Sequence, residues 1–382
     1  MDISAIKEKN KKQLSADASE LEKRAELGFE LPKTREYILK RLVEIGYDPR
    51  IIGKGSILAE LNQGKGQALL LRADMDALPF DEGARHVCGH HFHTASLLCA
   101  AEIIYERKAE LKSNIKLLFQ ASEETLEGAK DCIEAGILEN PRVKRAYMLH
   151  VLTALPLPVG CVIVSSEGVS APAAAFFEIE IKGSSSHGAS PEGSVDALTA
   201  GANLALALEH LPAKELFGSG ALLTVGKFTS GRAPNVIADT ALLEGTVRAT
   251  EERILEKALK RTEEMTENIG KAYCAKSEFR IKSGCPPLIN DKEASETAYT
   301  LLGKIKGIKP IYSKELERSG KPMQRGSEDF SFIAKEVPSC MIGVAAGEWD
   351  KGYTKPLHHP DVAFDENALS VAAAIYASLA LE

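Results

Sequence analysis

The sequence predicts an α/β protein: a sheet domain interrupted by a smaller inserted α+β domain and resumed towards the C-terminus. Two observations carry that expectation. Short apolar runs alternate with amphipathic stretches through about the first 150 residues, the pattern of successive β-α-β units. Between residues 173 and 283 the order changes to strand, helix, two strands, helix, strand, which is a β-α-β-β-α-β unit. The expected boundaries are 1–172 and 285–382 for the interrupted domain and 173–284 for the insertion.

A chain of 382 residues, 44% hydrophobic and 26% charged, is long enough for two cores. Its net charge of -7 provides no basic field for a polyanion, so nucleic acid and acidic membranes are not its expected partners; a small molecule is. The N-terminus lacks a basic start followed by an apolar core, and no stretch stays apolar for the roughly 20 residues that span a bilayer. A cytoplasmic location is expected. Seven cysteines, an odd number, do not form a disulfide framework in so large a chain and are expected as reduced thiols.

In order along the chain, residues 3–26 and 34–45 are amphipathic and read as helices. Residues 56–61 and 67–72 are apolar runs bounded by glycine, suited to strands, and the second leads directly into Asp74. A helix is expected over 94–107, then a strand over 115–120 that delivers Glu123 and Glu124, then a strand over 147–150 that ends in His150. Candidate ligand groups therefore emerge at equivalent strand ends, where open α/β sheets build their sites. In the insertion, strands are expected over 176–182, 222–229, 240–248 and 278–282, and helices over 195–211 and 251–272. Ser327, followed by Glu328 and Asp329, reads as a helix cap with acids in the first turn.

The chemistry concentrates in Cys88-Gly-His-His-Phe-His93, with Asp74-Met-Asp76 before it and Glu123-Glu124 after. Thiolate, imidazoles and carboxylates brought together make a divalent-metal site. A cysteine near a histidine is often a buried thiol beside a solvated imidazole. Three histidines within four residues strain that explanation, as do His150 and His358, each beside an apolar stretch where an imidazole needs a polar partner. No Gly-rich loop with Lys-Ser/Thr follows a strand and opens a helix, and Gly64-Lys-Gly66 reads as a turn, so no nucleotide is expected.

Eight motifs occur in order: Arg72-Ala-Asp-Met-Asp-Ala-Leu-Pro79, Cys88-Gly-His90, Phe119-Gln-Ala-Ser-Glu-Glu124, His150-Val, Gly183-Ser-Ser-Ser-His187, Ala233-Pro-Asn-Val-Ile237, Ser327-Glu-Asp-Phe330 and Leu357-His-His-Pro360. With them the chain resembles, over nearly its full length, the M20 metallopeptidases, specifically the amidohydrolase branch of hippurate and auxin-conjugate hydrolases. The resemblance implies a mixed-sheet α/β metallohydrolase domain with an inserted lid and dimerisation domain. It implies that Cys88, His90, Glu124, His150 and His358 hold two metal ions, zinc or manganese, with water between them. Glu123 would act as general base and then acid, Asp76 would orient a metal ligand, and Asp74 would help from behind it.

The residue types fit independently: Cys88 and His90, two apart, can project to one side of an extended segment, while adjacent Glu123 and Glu124 must diverge. By the same resemblance His187 would reach the active site of the partner subunit and stabilise the oxyanion, making the protein a homodimer. Asn235, Arg325 and Arg232 are candidates for holding a substrate carboxylate, although Pro-Asn is also an ordinary turn and most arginines are surface charge. Asp74 could equally cap the turn that follows its strand.

The expected reaction is metal-dependent cleavage of an N-acyl amino acid or related small amide. The alternatives are a dipeptidase or aminopeptidase with the same site, or a non-catalytic metal-containing ligand-binding protein. Two departures stand out: His91 occupies a position where the branch usually has aspartate, and residues 80–87 form a shorter connection than usual. With an imidazole there in place of a carboxylate, metal preference, metal affinity or the orientation of His90 and His93 is expected to differ, with His91 acting from outside the ligand set or, alternatively, binding metal itself; His86 is expected to be loop polarity.

Overall fold

The computed structural model describes residues 2–62, 64, 66–80, 83–318 and 326–382, apart from the side chain of residue 7. The chain divides into two compact units, one built from residues up to Ser170 together with Leu288–Glu382, the other from Ala171–Pro287.

The first unit opens with α1 (Ile3–Glu22), capped by the Asp2 carboxylate on Ser4 N–H, and α2 (Pro32–Ile45), which starts with proline at a first-turn position and stops at Gly46 in the left-handed region. Helix α1 is four residues shorter than its amphipathic pattern. There follow β1 (Arg50–Ile52), β2 (Ser56–Leu61), β3 (Ala68–Asp74), the short pair β4 (Leu78–Phe80) and β5 (Gly83–Arg85), then α3 (His90–Glu106). Next come β6 (Asn114–Gln120), α4 (Gly128–Glu134), β7 (Val143–Leu152), β8 (Val162–Val164) and β9 (Gly168–Ala171).

The second unit contains β10 (Ala173–Lys182), α5 (Ala197–Lys214), β11 (Leu222–Ser230), β12 (Thr240–Ala249), α6 (Glu252–Ala272) and β13 (Lys276–Cys285). The first unit then resumes with β14 (Leu288–Asn290), α7 (Lys292–Leu302), β15 (Pro310–Tyr312), α8 (Ser313–Arg318), α9 (Ser331–Glu336), β16 (Ser339–Ala345) and α10 (Asn367–Ala380).

Eight strands form the mixed sheet of the first unit, in the order β1-β2-β6-β3-β7-β16-β8-β15. Its centre is parallel, β3 lying between β6 and β7, with β16 beside β7. Strands β3 and β6 are buried at every residue, as central parallel strands covered on both faces must be. Helix α3 packs against α10 and α1, and their apolar residues belong to one core with the sheet.

The second unit is a four-stranded antiparallel sheet in the order β11-β12-β10-β13. Alternate residues of β10, from Ala173 through Ala175, Phe177, Ile179 and Ile181, join a core with α5 and α6, the period-two signature of a sheet with one covered face.

Two local expectations are corrected. The cysteine-histidine segment is not extended: Gly89, at φ 89°, turns the chain and α3 begins at His90, four residues earlier than its periodicity suggested. The reason is steric, because a Cβ at Gly89 would run into the Val151 side chain. The acids after Ser327 do not occupy the first turn of a helix: α9 starts at Ser331 without a side-chain cap, and Glu328 and Asp329 turn inward to be buried.

Replacing Gly89 with alanine is expected to lower the unfolding free energy by about 1–3 kcal/mol through this strained backbone and to displace His90. Urea denaturation read beside metal content measures both, and unchanged stability would contradict the account.

Candidate metal centre

Carboxyl ends of central strands deliver most of the site. Strand β3 ends at Asp74, with Asp76 just beyond; β6 leads through a turn to Glu123 and Glu124; and β7 carries His150. The Gly89 turn presents Cys88 and His90. His358 arrives on the loop after β16 at φ 69°, its backbone N–H donating to Val87 carbonyl at 2.9 Å.

These side chains converge. Cys88 Sγ lies 3.2 Å from His358 Nε2 and 3.5 Å from His150 Nε2. Glu124 Oε1 is 3.6 Å from His90 Nε2 and 3.8 Å from His358 Nε2. Glu123 Oε2 stands 3.9 Å from His90 Nε2.

The tautomers follow from the outer partners. His90 Nδ1 donates to Asp76 carbonyl at 2.9 Å, and His150 Nδ1 donates to Val151 carbonyl at 2.7 Å. In the neutral rings both Nε2 lone pairs then point into the site. Asp76 also accepts the Glu124 backbone N–H at 3.1 Å, so it ties one candidate ligand to another.

His93 is different: its Nδ1 donates to Asp74 at 2.6 Å and its Nε2 accepts Val151 N–H at 2.9 Å. Both nitrogens are engaged and the ring is not a ligand. Asp74 therefore orients His93, with Arg72 on its other oxygen at 2.8 Å.

The donor set fits a cation. His90 Nε2 and Glu124 Oε1 are buried, face each other and have no hydrogen-bond partner; in the neutral tautomer two acceptors look at one another, an arrangement a positive charge between them resolves. Without a cation the groups cling to protons. Burial pushes the Cys88 thiol up to about 12 and Glu124 up to about 7, although His90 opposes the latter. Against its own burial, His90 is held well above the ordinary imidazole range by Asp74 and Cys88. Burial, with Glu328 and Glu124 nearby, raises Glu123 well above the usual carboxylate range.

Reading the sequence missed the ionic cluster behind the site. Arg72, fully buried, donates to Asp74 and Asp329 and pairs with Glu328 at 3.0 Å. Asp329 also accepts from Gln120 Nε2 and, at 2.7 Å, from Ala129 N–H. A signal existed: an arginine ending an otherwise apolar buried strand requires buried acids somewhere in the chain.

His86 also departs from expectation. It is buried, as is His91, their ring centroids 5.2 Å apart. His91 contacts Phe92 and Phe364 and makes no hydrogen bond to His90 or His93 among those of the described residues.

In the second unit, His187 and Asn235 are exposed neighbours: Gly188 N–H donates to Asn235 carbonyl at 2.8 Å, and His187 pairs with Val236 across a β-bridge. Arg232 is committed to Asp239. Arg325 lies outside the described residues.

Residues 70–382 match the model of peptidase family M20/M25/M40. The chain belongs to that family. An N-acetylcysteine deacetylase of Bacillus subtilis is 30% identical, covering 95% of this chain and 94% of its own. A hippurate hydrolase of Campylobacter jejuni is also 30% identical, covering 94% and 93%. Among solved structures, a Bacillus subtilis dinuclear metal-binding peptidase of the M20 family is 28% identical, covers 97% of each chain and superposes with a TM-score of 0.76. This M20 chain is a metal-dependent amidohydrolase.

Because Cys88 and Glu124 hold protons near neutrality and must lose them to bind an ion, metal affinity rises with pH and falls as pH is lowered. Zinc added to chelator-stripped protein in weak buffer near neutral pH should release protons. A pH-stat measures this, and uptake without release would be the contrary result.

Proposed function

We propose that this enzyme cleaves the amide bond of an N-acyl amino acid or a related small amide. The observation that carries the reading is the convergence of Cys88, His90, Glu124, His150 and His358 with Glu123 beside them. Two donor groups, Cys88-His90-His150 and Cys88-Glu124-His358, share the thiolate, which supports two divalent ions. Zinc suits the thiolate and imidazoles, whereas manganese is accommodated by carboxylate and imidazole. When bound, such ions lower the pKa of a shared water and polarise the amide carbonyl.

The remaining steps belong to the protein. Glu123, a carboxyl with raised proton affinity, takes the water's proton and passes it to the departing amine, which leaves poorly until protonated. Asp76 holds His90 in the tautomer that presents Nε2. An acyl rather than a free-amine substrate is favoured because the acids behind the site in the first unit, Asp74, Glu328 and Asp329, are turned towards Arg72, so none is dedicated to an ammonium.

A homodimer through the second unit accompanies this proposal. Strand β11 is a sheet edge carrying exposed Leu222 and Phe228, and α5 exposes Leu198 and Leu206. An unprotected apolar edge favours pairing with a second copy. His187 would then serve the partner subunit's site, and Asn235 would help hold substrate. A cytoplasmic setting suits the seven free thiols; among the described residues no helix is long and apolar enough to cross a membrane.

Glu123→Ala should keep its fold and metal content while kcat falls by about 10²–10⁴-fold, assayed on N-acyl amino acids beside the corresponding free dipeptides. Full activity in the variant would overturn the role of Glu123, and turnover of dipeptides alone would favour the peptidase. Sedimentation should show a dimer that Leu222→Glu with Phe228→Glu converts to monomer; a fully active wild-type monomer would remove the part given to His187.

A further inference from the structure

Beside the centre, the first unit contains a cavity of about 370 Å³ whose lining includes Glu22, Arg85, His86, His91, Phe364 and Glu366. None of the five candidate ligands lines it. His86 and His91 are 7% and 5% exposed, and both nitrogens of His86 and Nδ1 of His91 are buried without a hydrogen-bond partner. The Leu21 backbone is the polar group that faces His86.

Two buried imidazoles with ring centroids 5.2 Å apart and orphaned nitrogens on each have no reason to be buried together on packing grounds alone, because each displaces water from polar atoms. The charges at the cavity favour a cation. Arg85 is turned over the Phe80 ring, 5.3 Å from its centroid, while Glu22 and Glu366 contribute carboxylates. Glu366 is held by Ser15 at 2.7 Å; Glu22, exposed on the last turn of α1, is in no ion pair among the described residues, and its carboxylate would have to turn inward to join the two imidazoles.

We propose that His86 and His91, with Glu22 completing the set, form an auxiliary site for a borderline divalent transition-metal ion, separate from the two-ion centre. Neutral imidazole is the preferred donor for such ions, and one carboxylate with solvent can complete the coordination. The site depends on His91, which supplies the second imidazole.

The test counts ions on the full-length protein, stripped with chelator and dialysed against zinc. Three zinc ions per chain are expected in the wild type and two in His86→Asn and His91→Asn. Two in the wild type and an unchanged two in His91→Asn would overturn the auxiliary site while leaving the two-ion centre standing. One zinc that survives Cys88→Ser but is lost in His91→Asn would support this site and sink the two-ion centre. Cobalt titration of the wild type gives a second reading independent of whether the variants fold. One equivalent should add ligand-field absorption without thiolate-to-cobalt charge transfer; charge transfer growing in proportion to every bound ion would overturn the proposal.

Discussion

A guanidinium removed from solvent organises the first unit. Arg72, two residues before the end of β3, has carboxylates from both sides of the insertion around it, Asp74 from its own strand and Glu328 and Asp329 from the returning segment. Its backbone carbonyl accepts the Tyr376 hydroxyl of α10 at 2.6 Å. Breaking such a buried cluster by deleting one partner typically costs about 3–5 kcal/mol, because an uncompensated charge stays behind. The discontinuous chain is thus closed by one ionic knot as well as by its apolar core.

That knot is also the rear wall of the reactive centre. From Arg72 a line of hydrogen bonds runs through Asp74 and His93 to the Val151 amide, fixing the strand that carries His150. The acids outnumber the buried arginine, and burial raises Asp329 to about 8 despite Arg72. The surplus acids are therefore met by retained protons, and a cation bound at Cys88, His90 and Glu124 would take the place of protons held there.

Much of this was legible in the sequence. The alternation of elements, the inserted unit and the close grouping of Cys88, His90, Glu123 and Glu124 follow from local pattern, since each group leaves a strand end or adjacent turn. What was illegible depended on distance along the chain. Arg72 meets Asp329 across 257 positions, and nothing local distinguishes Ser327-Glu-Asp from an ordinary cap. His86 resembled loop polarity because a histidine in a short polar connection gives no sign that it will be buried. The early start of α3 was set by the Gly89 turn against Val151, a tertiary contact that periodicity does not encode.

The insertion has a consequence for biosynthesis. Cys88, His90, Glu124 and His150 are translated before Ala171, whereas His358, Glu328 and Asp329 follow Pro287. A nascent chain that has only just finished the inserted unit therefore holds four of the five donors and an arginine lacking most of its counterions. Of the two donor groups, Cys88-His90-His150 is therefore complete before the insertion is made, whereas Cys88-Glu124-His358 waits for the returning segment.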